Sequence, residues 1–214
     1  SKADLAGANL NESQMVGTNL LGTNFDGSRL ERVEWGDKCT NELRALEALR
    51  EGRTEDACAA FEEAEEIYRI LRRSYDGAGR FEKAGAFFRR EMTMRRMLMP
   101  RWSGARFWSK LVDVFCAYGE SPPRVILSAM VVNIVVGCVF FLCGVNGPDG
   151  PLRIDLELGL WVNVEMYLNC LYYTVVTFTT LGYGEITPPT LFTRHLASTH
   201  AFAGAFMMAM FVAV

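Results

Sequence analysis

Large apolar residues recur every five positions along the first 35 residues: Leu5, Leu10, Met15, Leu20, Phe25, Leu30 and Trp35. Two residues ahead of each sits a small, hydroxyl or β-branched residue: Ala3, Ala8, Ser13, Thr18, Thr23, Ser28 and Val33. A period of five fits neither a helix at 3.6 nor a strand at 2. It fits a solenoid with one pentapeptide per side of a square section, its apolar centres stacked inward. From Asn41 to about Leu98 the period turns helical. Leu43, Leu46 and Leu49 predict a short helix ended by Gly52, with Thr54 capping the next. Two helices are predicted around Gly77 and Gly79, a stripe of Tyr68, Leu71 and Tyr75 facing one of Phe81, Ala84, Phe87 and Phe88. A further helix carries Phe107, Trp108, Leu111, Val112 and Phe115 on one face, with Ser109, Lys110 and Asp113 opposite. Aromatic residues beside Arg and Lys suit a helix lying in a membrane interface. Pro122 and Pro123 break the helical pattern ahead of the first of two apolar runs. That run, Val125 to Val145, is roughly 31 Å long as a helix, which matches a bilayer core. The second runs from Leu196 to Val214. Between them lie the polar turn NGPDGPLRID and the segment LWVNVEMYLNCLYYTVVTFT, too interrupted to be another span.

Charge and composition narrow the choices. The 214 residues are 50% hydrophobic and 22% charged, and the charge is concentrated ahead of Pro122. A net charge of −3 argues against a nucleic-acid partner. The six cysteines show neither CxxC spacing nor a ligand pattern with the two histidines, so buried thiols are expected rather than disulfides or zinc. No nucleophile, base or metal constellation appears, which points away from an enzyme; no cofactor is expected. Arg89, Arg90, Arg95, Arg96, Arg101, Arg106, Lys110 and Arg124 precede the first span, whereas the loop between spans has only Arg153 and Arg194. The N-terminal modules are therefore expected in the cytoplasm of a multi-pass cell-membrane protein. The outward loop, with Asp149, Asp155, Glu157, Glu165 and Glu185, would concentrate cations. Because the sequence opens on SKADLAG and stops inside MMAMFVAV, both ends are expected to be trimmed.

The stretch TVVTFTTLGYGEITP, Thr174 to Pro188, raises the chemical question. A phosphate loop needs a third glycine or a Walker lysine, and EITPPT after Gly184 supplies neither. Non-helical backbone between two spans is tolerated where it is buried or lines a pore.

Three resemblances add to this reading. The five-residue units resemble the pentapeptide-repeat family, which implies a right-handed quadrilateral β-helix. The hairpin around Gly77 and Gly79 is similar to a single tetratricopeptide-type unit, but Arg72 and Glu91 stand where that family prefers small residues; an ordinary helical hairpin fits equally. TTLGYG, Thr179 to Gly184, resembles the selectivity filter of potassium channels, and the likeness covers roughly residues 123–214. Tyr172 and Tyr173 match pore-helix aromatics; Pro188, Arg194 and Gly204 match a post-filter proline, an outer arginine and an inner-helix glycine. The resemblance implies a tetramer in which the carbonyls of Thr180, Leu181, Gly182 and Tyr183 ring a potassium ion, with the Thr180 hydroxyls adding an inner ring. Gly182 and Gly184 are expected to supply left-handed backbone. Thr179, Tyr172, Tyr173 and Glu185 are the expected supports of the filter, Tyr183 packing on Tyr172 or Tyr173. Val176 stands behind the filter where some relatives carry a carboxylate. CAYGES, Cys116 to Ser121, imitates the filter without its threonines and reads as an interfacial turn.

The expected layout is a β-helix segment over 1–36, a helical module over 37–100, an interfacial helix over 101–122 and an all-α pore domain over 123–214. Within the last fall a span at 125–145, a pore helix at about 166–179, the filter at 180–184 and a span at about 192–214. Gly204 is a candidate gating hinge, or else a close-packing glycine; Phe206, Met210 and Val214 are candidates for an apolar gate. His200 is expected to be a hydrogen-bonded packing residue, and His195 an outer residue free to titrate. No helix carries the arginine series of a voltage sensor, so gating is expected from the cytoplasmic modules through a ligand or protein partner. Two other functions remain open: a weakly selective cation channel, and a membrane-tethered scaffold whose pore is vestigial.

Overall fold

A computed structural model describes residues 3–213. They form two compact units, Ser1–Glu120 and Ser121–Val214.

The first unit opens with the five-residue pattern. Parallel bridges join Asp4 to Asn24, Asn9 to Arg29 and Gln14 to Glu34, each pair twenty residues apart. Twenty residues are four pentapeptides, so one coil closes every four sides. The amides of Leu5 and Leu10 donate to the carbonyls of Asn24 and Arg29, both at 2.9 Å, while Asn24 and Arg29 donate back to Ala3 and Ala8. Left-handed backbone recurs every fifth residue, at Gly7, Glu12, Gly17, Gly22, Gly27 and Arg32. Glycine adopts it without the Cβ penalty; the two exceptions, Glu12 and Arg32, stack one coil apart and form an ion pair. Leu20, Phe25 and Leu30 are buried, and Leu5, Leu10 and Met15 half-buried. The expected β-helix appears as isolated bridges rather than strands, because a corner every five residues leaves little extended backbone between turns. Ala3 and Thr18 are exposed instead of inward; the Thr18 hydroxyl donates to the Met15 carbonyl at 2.7 Å across a corner.

Helices α1 (Thr40–Arg50), α2 (Thr54–Gly77) and α3 (Phe81–Leu98) follow. Their core is continuous with that of the coils. Trp35 joins them: its indole N–H donates to the Tyr75 hydroxyl at 2.8 Å, and Tyr75 donates to the Leu30 carbonyl at 3.1 Å. The rings of Phe25, Tyr75 and Phe87 surround it at 5.8–6.4 Å. Three expectations are corrected. Leu43 is exposed, because α1 buries Asn41, Ala45 and Ala48. Phe81 is exposed at the first position of α3, where the apolar stripe has not yet turned inward. Thr54 is the first helical residue of α2 and not its cap, the flanking position being Arg53. Arg72 and Glu91 depart from the tetratricopeptide pattern as a pair: buried Glu91 accepts from Arg72 Nε at 2.8 Å and Arg69 Nε at 3.2 Å. Ion pairing replaces the small-residue contact there.

Helix α4 (Gly104–Cys116) is capped by Ser103, whose hydroxyl accepts from the Arg106 amide at 3.1 Å. Its polar face is the packed one. Asp113 accepts from Arg89 Nε at 3.0 Å and Arg96 Nη1 at 2.9 Å, both on α3. Arg96 also donates to the Tyr118 hydroxyl, which is 2.7 Å from Ser109 Oγ. Ser109 and Asp113, opposite the apolar face, are thus turned to the module, while Phe107 and Trp108 are exposed. Burial opposes ionisation of Asp113, but the bonds from Arg96 and Arg89 outweigh it and hold its carboxyl below the usual carboxylate range. The stabilisation is therefore complete at neutral pH and is lost only as pH falls below about 4. Asp113→Asn should loosen α4 by roughly 2 kcal/mol, the scale of a hydrogen bond to a charged group, read as faster amide exchange across 104–116 at pH 7. Acidification should produce the same loosening in the parent chain but little further change in the variant.

The second unit is helical apart from one hairpin. Helix α5 (Pro122–Cys143) starts on its two prolines, tolerated where the first amides lack partners anyway. Helix α7 (Leu191–Ala213) closes the chain. Their mean hydropathies over the candidate spans are 2.7 and 1.3, and each is long and apolar enough to cross a membrane. Strands β1 (Val145–Gly147) and β2 (Gly150–Leu152) pair antiparallel within the expected polar turn. Helix α6 (Leu160–Phe178) begins six residues before the expected position. Asn163 holds the loop ahead of it, donating to the Asp155 carbonyl at 2.7 Å and accepting from the Asp155 amide at 3.0 Å. Phe140, Val145, Cys170, Tyr173 and Ile186 form the core, with Phe140 and Tyr173 edge to face at 5.0 Å.

Candidate functional site

The site is the loop between α6 and α7, and its geometry begins with the helix before it. β-Branched and aromatic residues carry α6 to Phe178, and the Thr179 hydroxyl donates back to the Val175 carbonyl at 2.8 Å. The amide of Thr180 donates to Thr177 at 3.1 Å, and those of Leu181 and Gly182 to Val176 at 3.0 and 3.4 Å. The amides are thus turned back on the helix. Among the described residues no hydrogen bond reaches the carbonyls of Thr180, Leu181, Gly182 or Tyr183. Left-handed backbone alternates through the loop: φ is +58° at Thr180, +57° at Gly182 and +83° at Gly184. A Cβ at Gly182 or Gly184 would meet no atom within 4 Å. Glycine is required there for conformation, not for room.

The supporting residues are placed around this loop. Val176 is buried, and its carbonyl is the anchor just described. Tyr173 is buried against Phe140. The Tyr172 hydroxyl donates to Glu185 Oε1. Tyr183 is 67% exposed and Leu181 61%, and Tyr183 makes no ring contact with Tyr172 or Tyr173 within the chain, among the described residues. After the loop, the Thr187 and Asn146 amides and carbonyls exchange two bonds of 2.9 Å, an antiparallel bridge to β1. The β1–β2 hairpin has a sequence signal, the turn-rich NGPDG flanked by Val145 and Leu152, but no local pattern marks Thr187 as a partner of Asn146. Arg194 Nε donates to the Pro188 carbonyl at 3.3 Å. Thr190 and Thr193 cap α7 reciprocally, each hydroxyl accepting the other's amide at 3.1–3.2 Å.

Inner-helix contacts complete the site. Gly204 lies within continuous α7 and is buried. A Cβ there would sit 2.0 Å from the Phe178 carbonyl oxygen. Gly204 thus permits a backbone-to-backbone approach at the last residue of α6, which supplies the close-packing reason for this glycine. Buried His200 bonds the Thr174 carbonyl through Nε2 at 3.2 Å and lies 5.3 Å from the Phe178 ring. His195 is exposed. Phe206 is exposed and Met210 half-buried, while Val214 lies outside the described residues. Among the described residues no group of three or more His, Cys, Asp and Glu could hold a metal ion.

Two apolar helices bracket a loop of outward-free carbonyls set at the C-terminal end of a third helix. Comparison with known families agrees with that geometry. Residues 135–214 match the family described as ion channel, and residues 1–33 match pentapeptide repeats in eight copies. Residues 135–214 are thus an ion-channel domain and residues 1–33 a pentapeptide-repeat segment, and the two apolar helices fit a membrane protein. No curated protein and no solved structure matches the chain.

Proposed function

We propose that the chain is a potassium-selective channel, four copies of which surround one conduction path. The observation that carries this reading is the run of carbonyls from Thr180 to Tyr183, unpartnered among the described residues, while the amides of Thr180, Leu181 and Gly182 are committed to α6. A potassium ion sheds its water only where oxygens replace it. Four chains would supply four such rings, with Thr180 hydroxyls below them. One chain alone leaves Leu181 and Tyr183 largely exposed, and neighbouring copies would cover them. The C-terminal end of α6, next to the loop, would place a partial negative charge toward the path. The filter is thus Thr180 to Gly184, supported by Thr179, Tyr172, Tyr173 and Glu185, and the permeant ion is what it would bind.

The arrangement in the membrane follows the same logic. The basic residues ahead of α5 favour a cytoplasmic first unit in the cell membrane. Its coils, four pentapeptides to a turn, fit the right-handed quadrilateral β-helix of the repeat family. Gating would come from this unit, through a ligand or protein partner, and not from voltage; catalysis has no part in the reading.

The test is ion flux through the purified chain in liposomes, with potassium and then sodium as the permeant cation. Potassium flux without sodium flux is the expected result. Equal fluxes would overturn selectivity in favour of a weakly selective cation channel. Silence both from the whole chain and from one lacking residues 1–100 would favour a tethered scaffold. If the first unit gates, that deletion changes open probability and leaves the ion ratio intact.

A further inference from the structure

The segment CAYGES, Cys116 to Ser121, lies outside the proposed conduction path. Its residue Glu120 closes the first unit two positions ahead of Pro122, where α5 begins. The backbone is left-handed at three successive residues: φ is +50° at Ala117, +59° at Tyr118 and +90° at Gly119. Two of the three carry a Cβ that resists this conformation, so neighbouring side chains must hold the turn. Tyr118 supplies one hold. Its hydroxyl is bonded to Arg96 and Ser109, and its ring meets Phe88 edge-on at 6.5 Å. Glu120 supplies the other. Its carboxylate lies over Gly85 of α3: a Cβ at that buried glycine would be 1.8 Å from Glu120 Oε2 and 2.6 Å from its Cδ. Gly85 sits within the helix without left-handed backbone, so its missing side chain serves the close approach and not the conformation.

We propose that this turn is a proton-responsive clasp: a neutral Glu120 carboxyl seats on Gly85 and locks the end of the first unit, and a charged one loosens it. The surroundings of the notch disfavour charge. Asp76, in the last turn of α2, and Glu82, one turn before Gly85 on α3, are acidic. The cations of the adjoining elements are committed elsewhere: Arg89 and Arg96 to Asp113 of α4, and Arg72 to Glu91 and Asp76. Partial burial first, and Asp76 second, hold the Glu120 carboxyl above the ordinary 4.5. The seated state therefore gains most below that ordinary value and loses its advantage as pH rises through the raised one. Asp113 responds in the opposite sense, its bonds failing only below about pH 4, so the two windows are separable. Glutamine at 120 would seat as well and would not titrate. The proposal goes beyond the channel reading and does not depend on potassium selectivity.

The experiment follows amide exchange across 116–121 in the whole chain in lipid nanodiscs, as protection corrected for the intrinsic pH dependence of exchange. The reporters are the amides of Ala117 and Glu120, bonded to the carbonyls of Asp113 and Ala117. Protection should rise about two- to fivefold from about pH 7.5 to about pH 4.5, the scale of a solvent-screened charge interaction. Glu120→Gln should give the high value at both pH values. Gly85→Ala, whose methyl meets only the flexible end of a side chain, should give the low value at both. Asp76→Asn should raise protection near neutrality and shrink the response. Exchange across α2 and α3 monitors folding in each variant. A parent chain with the same protection at both pH values would overturn the proposal. So would a Glu120→Gln variant less protected than the parent near neutrality, or a Gly85→Ala variant that keeps the parent's response. Ion flux is not the readout, so a failed channel reading leaves this result interpretable.

Discussion

Gly204→Ala should abolish selective conduction while leaving α7 helical. The added Cβ would lie 2.0 Å from the Phe178 oxygen and 2.7 Å from its carbonyl carbon. Neither atom is the end of a flexible side chain. Overpacking where side chains can yield costs about 1–3 kcal/mol; here the yielding element is the last turn of α6. Phe178 lies two residues before Thr180, and Val176 accepts the amides of Leu181 and Gly182. Any retreat of Phe178 therefore displaces the loop whose carbonyls would face a permeant ion in the proposed channel. A glycine acting only as a hinge makes a different expectation: alanine stiffens the helix by about 1 kcal/mol and shifts open probability with the potassium-to-sodium ratio intact. Measuring that ratio together with open probability separates the two. A normal ratio with altered opening would return Gly204 to the role of hinge.

Gly182→Ala should remove potassium flux for an unrelated reason. No atom lies within 4 Å of the new methyl, so steric room is not at issue. The cost is conformational: an alanine held at φ near +57° loses roughly 1–2 kcal/mol relative to glycine. In the proposed tetramer one ring would use four copies, which raises the penalty to about 4–8 kcal/mol per assembled loop. Relaxation to negative φ would swing the Leu181–Gly182 peptide and turn a carbonyl away from the path. Liposome flux with potassium alone is the readout, with tetramer assembly followed by size. Full selective flux from this variant would show that the left-handed backbone at 182 is dispensable.

Much of the chain was legible because its patterns are local. The five-residue period carries its own geometry: a glycine or polar corner after each apolar centre closes a coil of twenty residues, and Asp4 meets Asn24 as a result. The two apolar helices follow from length and hydropathy. The loop chemistry follows from TTLGYG, since alternating glycines announce backbone that other residues resist. Where the reading slipped, a local pattern met a tertiary choice. Leu43 and Phe81 fit helical stripes, yet Leu43 lies off the face that α1 buries and Phe81 stands at the first position of α3. Asp113 is charged and lies opposite the apolar face of its own helix; paired arginines on α3, seventeen and twenty-four residues earlier in the chain, draw it inward.

By itself, then, the sequence determined the period of the coils, the existence of the helices, the two membrane-length segments and the glycine loop, because each depends on residues within a few turns of one another. Tertiary structure alone decided which face of α4 is bare, that Phe178 and Gly204 approach backbone to backbone, that Thr187 bridges to Asn146, and that Trp35 joins the coils to the hairpin. Those outcomes depend on the meeting of distant segments, and burial or pairing at such a meeting outweighs the small local preferences that a sequence pattern records.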